Sequence, residues 1–231
     1  MRFRDRAEGG RRLAVRLRRL RSENVVVLGI PRGGIPVAYE IARALDAPLD
    51  VVIVRKLVAP GHPNLAMGAI AEDGRSSISL RLGETMGLRA RELAGITAPA
   101  NAELARRIDV YRRGRPALPL NGRTAIIVDD GLATGASARA AVEAVRRRGA
   151  SRIVVAAPVS SRDVVDQLRE VCDEVVCIET PPFFFAAEDW YRNGAEPSDE
   201  IVTHILDRAA SGRREYGRLP VGAGAPDERG R

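Results

Sequence analysis

The chain has 231 residues, enough for one large domain with an elaboration, since domains average roughly 150 residues. Its composition is 45% apolar and 29% charged with only 4% aromatic residues, which excludes global disorder and indicates an aliphatic core. Because apolar runs are short and the first 21 residues are highly charged, we expect no membrane span, no signal peptide and a cytoplasmic location.

Positive charge is concentrated near the N-terminus. The formal net charge is +7, and residues 1–23 hold nine arginines against three acidic residues. Lys56 is the single lysine among 37 basic residues, so the abundance of arginine reflects residue usage along the whole chain. The favoured interpretation of the N-terminal segment is a solvated helix face, and nucleic-acid binding is the alternative. Cys172 and Cys177 are too few for a disulfide framework and are expected to be reduced and buried.

The first half of the chain alternates helical and strand patterns. Leu13, Leu17 and Leu20 have the spacing of an amphipathic helix, and the apolar run 25–30 is typical of a buried parallel strand. The elements predicted next are a helix over 37–45, a strand over 51–54, a loop over 55–66, short strands over 67–71 and 76–80, and a helix marked by Leu104, Ile108 and Tyr111.

The second half repeats the alternation more clearly. The predicted elements are a strand over 124–128, a turn over 129–137, a helix over 138–148, a strand over 153–157, a helix face of Val164, Val165, Leu168 and Val171, and a strand over 174–178. Ser198 is predicted to cap a last helix with Ile201, Ile205 and Leu206 inward. This order predicts an α/β fold, a mostly parallel twisted sheet flanked by helices, with sites at the carboxyl ends of strands.

The segment best suited to chemistry is Ile126–Ser137, IIVDDGLATGAS. An apolar strand ends in Asp129 and Asp130, and a loop of small residues then opens into a helix. Backbone amides and the hydroxyls of Thr134 and Ser137 can bind a phosphate there, while the carboxylates can bind ribose hydroxyls and favour positive charge on the ring. An acidic turn before a capped helix is the purely structural alternative.

This segment resembles the motif of type I phosphoribosyltransferases that binds 5-phosphoribosyl 1-diphosphate, PRPP. The resemblance implies their fold with a small hood, catalytic roles for Asp129 and Asp130, and Mg²⁺ that arrives on PRPP, with these two carboxylates as its candidate protein contacts. Beyond them no set of side chains has metal-ligand spacing. The residues implied to bind the 5-phosphate are Ala133, Thr134, Gly135, Ala136 and Ser137.

Two further segments agree with the resemblance. Residues 29–34, GIPRGG, look like the family's pyrophosphate loop, which often holds a non-proline cis peptide; the implied contacts are Pro31, Arg32, Gly33 and Gly34. Arg55 and Lys56 match the Arg-Lys pair of adenine and orotate phosphoribosyltransferases, in which the lysine approaches pyrophosphate, so Lys56 is a third predicted catalytic residue. Residues 58–70, with His62, resemble a subgroup of predicted bacterial phosphoribosyltransferases of undefined substrate.

The acceptor is left open by the sequence. Five of the nine aromatic residues lie between positions 183 and 191, and Phe184, Trp190 and Tyr191 are candidates to stack a flat base in the hood, with core packing as the alternative. Purine salvage enzymes of the hypoxanthine-guanine type carry a third carboxylate in the phosphate loop, where this chain has Ala133. The loop is therefore more similar to the adenine or orotate kind.

These observations predict one phosphoribosyltransferase domain over residues 1–210, which includes the N-terminal helix and a hood at about 179–197, and a disordered tail over 211–231. The expected reaction transfers the phosphoribosyl group of PRPP to a small nitrogenous acceptor in nucleotide salvage. PRPP and that acceptor are the expected partners, and a homodimer is the assembly considered. The alternatives are a PRPP-sensing regulator that binds RNA or DNA without turnover, and a doubly wound module that only binds another phosphorylated ligand.

Overall fold

A computed structural model describes residues 2–59, 62–78 and 90–216 of the chain. In chain order its elements are α1 (Arg6–Leu17), a 3₁₀ turn (Arg18–Leu20), β1 (Val25–Gly29), α2 (Gly34–Leu45), β2 (Leu49–Val51), β3 (Val54–Ala59), β4 (His62–Ala71), β5 (Ser76–Ile78), α3 (Ala90–Arg112), β6 (Thr124–Val128), α4 (Ala136–Arg147), β7 (Arg152–Val159), α5 (Arg162–Arg169), β8 (Glu174–Glu179), a 3₁₀ turn (Glu188–Trp190) and α6 (Asp199–Tyr216). Among these residues no helix combines the length and hydropathy that a membrane crossing requires.

A five-stranded parallel sheet forms the centre of the molecule, in the order β2-β1-β6-β7-β8. Strands β1 and β6 are buried along their whole length, which explains their uninterrupted apolar sequence. Alternate residues of β1 point to opposite faces of the sheet, and each face has its own hydrophobic core. Val25 and Val27 belong to the core with α1, α2, α3 and α6, whereas Val26 and Leu28 belong to the core with α4 and α5. The predicted fold class is confirmed.

A second, antiparallel sheet of β3, β4 and β5 corrects the prediction for residues 51–66. The expected strand over 51–54 is divided, because the chain leaves the parallel sheet after Val51 and enters β3 at Val54. Most of the expected loop is strand, since pairing between β3 and β4 satisfies their backbone groups and buries Leu57 and Ile70. Residues 60 and 61, and residues 79 and 80 of the strand predicted over 76–80, lie outside the described residues.

A buried ion-pair network joins the two sheets. Arg112, the last residue of α3, donates to Asp50 in β2 at 3.2 Å and to Glu72 after β4 at 2.6 Å, and it also donates to the carbonyl of Val51. Arg148 pairs with the other oxygen of Glu72 at 3.0 Å. Burial raises the pKa of Glu72 above its usual value, although both guanidinium groups act in the opposite direction.

The N-terminal helix is anchored to the rest of the domain. Asp5 caps α1 by accepting from the Glu8 N–H at 2.7 Å, and the leucines predicted to face inward are buried. Five of the nine arginines in residues 1–23 pair with acidic side chains: Arg4, Arg6, Arg11, Arg12 and Arg19. Part of the charge is thus neutralised within the domain. Most of the nine arginines are exposed, as expected of a solvated helix face, and Arg6 is the buried exception.

Helix α6 begins as predicted but differs in one inward residue and in its length. Ser198 accepts from the Ile201 N–H as expected. Leu206 is buried and Ile205 packs on the core as predicted, but Ile201 is exposed and Val202 is buried in its place. The helix also runs to Tyr216, past the predicted start of the tail at 211, because Arg213, Arg214 and Glu215 are adequate helix formers. Residues 217–231 lie outside the described residues. Both cysteines are free; Cys172 is buried and Cys177 is half-buried.

Candidate active site

The acidic pair lies at the carboxyl end of β6, near the middle of the parallel sheet. The N–H of Asp129 donates to the carbonyl of Ala156 in β7 at 3.2 Å, which holds the chain at the sheet edge. The carboxylate of Asp129 accepts from the N–H of Asp130 at 2.9 Å. Both side chains are thereby fixed where adjacent parallel strands end, the position at which sites of open α/β sheets form.

The predicted phosphate loop connects the acidic pair to α4. Leu132 donates to Val159 at 3.0 Å, and the Ser160 hydroxyl donates back to the Leu132 carbonyl at 3.2 Å, so the loop is tied to the end of β7. Gly135 has a φ of 69° and begins the helix without a side chain to cap it. The first-turn N–H groups of α4 and the exposed Thr134 are therefore groups that could bind an anion, and phosphate binding here stays a prediction.

The predicted pyrophosphate loop follows the neighbouring strand β1 and touches the acidic pair. The Pro31–Arg32 peptide bond is cis, as the resemblance implied. A Cβ atom at Gly34 would lie 2.5 Å from the Val128 carbonyl oxygen, and one at Gly33 would lie 2.1 Å from an Asp130 carboxylate oxygen. Two loops about 100 residues apart in sequence are thus packed together, and only glycine leaves room for the contact.

Arg32 extends from this loop to the hood segment. Its guanidinium pairs with Glu196, and that hydrogen bond raises the pKa of Arg32 above the usual value of an arginine. The buried Nε of Arg32 has no hydrogen-bond partner among the described residues. Arg32 therefore carries a donor group that a ligand oxygen could satisfy.

The Arg-Lys pair lies on β3 of the antiparallel sheet. Arg55 is exposed, and the backbone of Lys56 is paired with Ala69 in β4. The side chains of Lys56 and His62 lie outside the described part of the structure. The predicted approach of Lys56 to pyrophosphate stays a prediction.

The residues of the aromatic cluster lie in different environments. Phe184 is buried against the loop that follows the acidic pair, since a Cβ atom at Gly131 would come within 2.9 Å of its ring. The centre of its ring lies 6.5 Å from that of the half-buried Trp190. Its neighbours Phe183 and Phe185 are 76% and 83% exposed. Phe184 and Trp190 thus lie beside the loop that follows the acidic pair, and their stacking on an acceptor base stays a prediction.

Tyr191 has a different environment from the one predicted. Its ring is buried against Phe3 and the guanidinium of Arg6, and its hydroxyl donates to the Asp130 carbonyl at 2.6 Å. Burial raises the pKa of this phenol, which keeps the hydroxyl as a donor. In this structure Tyr191 supports the acidic pair and presents no free face to a base.

Arg6 contacts the acidic pair but was not predicted from the sequence. Its Nε donates to an Asp130 carboxylate oxygen at 2.7 Å, and the side chain is only 6% exposed. The two residues are 124 positions apart. Nothing in the local sequence distinguishes Arg6 from the other eight arginines of residues 1–23, because the helical spacing predicts only which residues face inward.

Substitution of Gly33 by Ala tests the packed contact between the loops. The backbone of Gly33, at φ −59° and ψ −35°, accepts alanine without strain, so the effect is purely steric. The new methyl group would displace the Asp130 carboxylate, and we expect the affinity for PRPP, the ligand that the sequence predicts, to fall by up to about 100-fold, the loss in rate that a misplacement of about 1 Å can cause. Isothermal titration calorimetry measures this change.

The matched control is Gly95→Ala in α3, where an added Cβ would meet no atom of the described part of the chain within 4 Å. This variant should bind ligand normally and gain about 0.5–1 kcal/mol in the free energy of unfolding, because alanine favours the helix. Equal binding by Gly33→Ala and the wild type would show that the acidic pair does not need its present position.

Comparisons with known proteins agree with this geometry. The model of the phosphoribosyl transferase domain family matches residues 4–193, a range that includes both loops, α1 and the aromatic cluster. Proteins from two Mycobacterium tuberculosis strains, H37Rv and CDC 1551, named "Putative phosphoribosyl transferase", are 46% identical over 224 residues, which cover 97% of this chain and 51% of theirs. The chain therefore spans about half the length of these curated relatives.

A solved structure agrees over nearly its whole length. The crystal structure of TT1426 from Thermus thermophilus superimposes with a TM-score of 0.77 at 42% identity, and the match covers 89% of this chain and 98% of that one. The strand order, the two contacting loops and these similarities lead to one conclusion. The chain belongs to the phosphoribosyl transferase domain family.

Proposed function

We propose that the protein transfers the 5-phosphoribosyl group of PRPP to a small nitrogenous acceptor, with release of pyrophosphate, and acts in nucleotide salvage. The observation that carries the proposal is the contact between Gly33 and the Asp130 carboxylate at the ends of adjacent strands. It brings the loop of residues 31–34 and a pair of carboxylates together beside the N-terminus of α4, and the backbone N–H groups there could bind a phosphate-rich ligand. A phosphoribosyl diphosphate presents the matching groups, a phosphate, two ring hydroxyls and a diphosphate.

In the proposed complex each part of the ligand has its own group of residues. The 5-phosphate would bind residues 133–137 at the start of α4, and the ribose hydroxyls would bind Asp129 and Asp130. The diphosphate would bind residues 31–34, Arg55 and Lys56, and its oxygens would supply the partner that the buried Nε of Arg32 lacks.

The donor set also fits Mg²⁺ carried by PRPP. Carboxylate oxygens are ligands that Mg²⁺ accepts, and Asp129 and Asp130 provide them beside the glycine cradle of residues 33 and 34. The described residues contain no cluster of three or more metal-binding side chains, so the diphosphate would provide most of the coordination. When bound, the ion would neutralise charge that develops on the leaving pyrophosphate.

The chain's own contribution to the reaction is positioning and electrostatics. A nitrogen of the acceptor forms the bond to C1 of the ribose while the C1–oxygen bond to pyrophosphate breaks, and the bonding electrons leave with pyrophosphate. The proton that the acceptor nitrogen loses passes to pyrophosphate or to water. Positive charge that develops on the ring in this step would be stabilised by Asp129 and Asp130. Phe184 and Trp190 would cover the acceptor side and exclude water from C1.

The first experiment is calorimetric titration with Mg-PRPP, followed by assay of pyrophosphate release with a panel of purine and pyrimidine bases. Binding with release for one base would establish the transferase and its acceptor. Binding without release for any base, combined with salt-dependent affinity for RNA or DNA, would favour the regulator. Failure to bind PRPP while a nucleotide or sugar phosphate binds would overturn the proposal.

A further inference from the structure

We infer that Arg6 is a positioning residue for PRPP, which acts by holding the Asp130 carboxylate in its ligand-binding geometry. This inference rests on the proposed function, since it concerns the same acidic pair. It gives the N-terminal helix a role in the site and not only in the core.

The contacts of Arg6 show what the guanidinium connects. One nitrogen donates to Asp130 at 2.7 Å, and another donates to the carbonyls of Ala195 at 2.8 Å and Gly194 at 3.3 Å. Its guanidinium carbon lies 5.0 Å from the centre of the Tyr191 ring. A single buried cation thus joins the start of α1, the acidic pair and the segment that follows the aromatic cluster.

Asp130 is held on both its side chain and its backbone by this arrangement. Arg6 binds the carboxylate, while the Tyr191 hydroxyl binds the main-chain carbonyl of the same residue. Gly33 also lies against this carboxylate, and a Cβ atom there would come within 2.1 Å of Oδ2, the oxygen that accepts from Arg6, so even a methyl group would not fit. The carboxylate therefore has little freedom, as expected of a group that must be preorganised for a ligand.

A purely structural role would not require this placement. A buried ion pair contributes little net stability compared with apolar packing, so stability alone is a weak reason for an arginine here. Its partner Asp130 is one of the two acidic residues at the end of β6. The ion pair with Arg6 would keep that carboxylate negatively charged and fix its orientation.

The test measures the dissociation constant of Mg-PRPP for Arg6→Met, Arg6→Lys and the wild type. We expect Arg6→Met to weaken binding about 10- to 100-fold, the range typical of outer partners that orient ligating groups in metal sites. Arg6→Lys keeps the charge but loses the planar fork, and it should recover part of the affinity. Arg11→Met, which removes an ion pair between the same helix and Glu40, should bind like the wild type.

A double-mutant cycle separates positioning from general damage to the fold. If Arg6 acts through Asp130, adding Arg6→Met to Asp130→Asn should change the dissociation constant by less than about twofold, whereas independent effects would multiply. Circular dichroism checks that each variant is folded. If Arg6→Met is unfolded, Arg6→Lys and Tyr191→Phe carry the test, and both are expected to weaken binding.

The outcomes distinguish this inference from the proposed function. Wild-type protein that binds no Mg-PRPP would overturn both. Wild-type binding with unchanged affinity in folded Arg6 variants, or multiplicative effects in the cycle, would overturn the role of Arg6 alone.

Discussion

Asp130→Asn should lower kcat/KM for PRPP about 100- to 1,000-fold, the loss typical when one preorganised electrostatic group is removed from a transition state. The substitution removes the negative charge that would face the ribose ring. It keeps an oxygen of nearly the same position, so Arg6 retains an acceptor there as well as the carbonyls of Gly194 and Ala195. We therefore expect a stability cost of only about 1–3 kcal/mol.

Two measurements made side by side check this result. Steady-state pyrophosphate release gives kcat/KM, and urea unfolding gives the free energy of unfolding. Asp189→Asn is the matched control, because it changes an exposed aspartate in the 3₁₀ turn of the hood. Turnover by Asp130→Asn at the wild-type rate would exclude this carboxylate from the reaction.

Arg112→Met should have the largest effect on stability, about 3–5 kcal/mol at neutral pH. The substitution preserves most of the side-chain volume but leaves the carboxylates of Asp50 and Glu72 without their shared partner in a buried position. Arg169→Met is a suitable control, since Arg169 also ends a helix but forms an exposed pair with Asp166. It should change the free energy of unfolding by less than about 0.5 kcal/mol.

The effect of Arg112→Met should also depend on pH. The pKa of Glu72 is already raised above its ordinary 4.5 by burial, and loss of Arg112 would raise it further. A carboxyl group whose pKa is higher in the folded state binds more protons when folded, so stability falls as pH rises through that pKa. The variant should therefore be less destabilised at about pH 5 than at about pH 7.5. Equal destabilisation at both values would mean that lost packing, not buried charge, is the cause.

The core of the site was predictable because its signals are local. The apolar runs over 25–29 and 124–128 indicate buried parallel strands, and each is followed directly by its loop. Since the carboxyl ends of neighbouring parallel strands meet at one edge of the sheet, the two loops had to lie near each other. The contact of Gly33 with Asp130 is the structural result of that arrangement.

The parts that were not predicted depend on distant contacts. Residues 55–66 are rich in Pro and Gly, and only pairing with a second strand makes most of them β-structure. Tyr191 belongs to the aromatic cluster that was expected to stack a base. Its ring is instead covered by Phe3 and Arg6, from the other end of the chain. Ile201 fits the period of α6, but the position of the helix on the core selects Val202. Periodicity does not contain this information.

The pairing of Phe3 with Tyr191 determines when the site is completed during synthesis. The N–H of Phe3 donates to the carbonyl of Trp190, and the N–H of Arg192 donates to the carbonyl of Phe3, so Phe3 and Tyr191 form an isolated parallel β-bridge. Residues 3 and 191 leave the ribosome far apart in time, and contacts of such long sequence separation form late. Strands β1 and β6 can pair before residue 191 has been made. The contacts of Arg6 and Asp130 with Tyr191, Gly194 and Ala195 can form only after these residues have been made. The acidic pair would therefore acquire its native surroundings only after residue 195 has been made, when α6 alone of the described elements is still to follow.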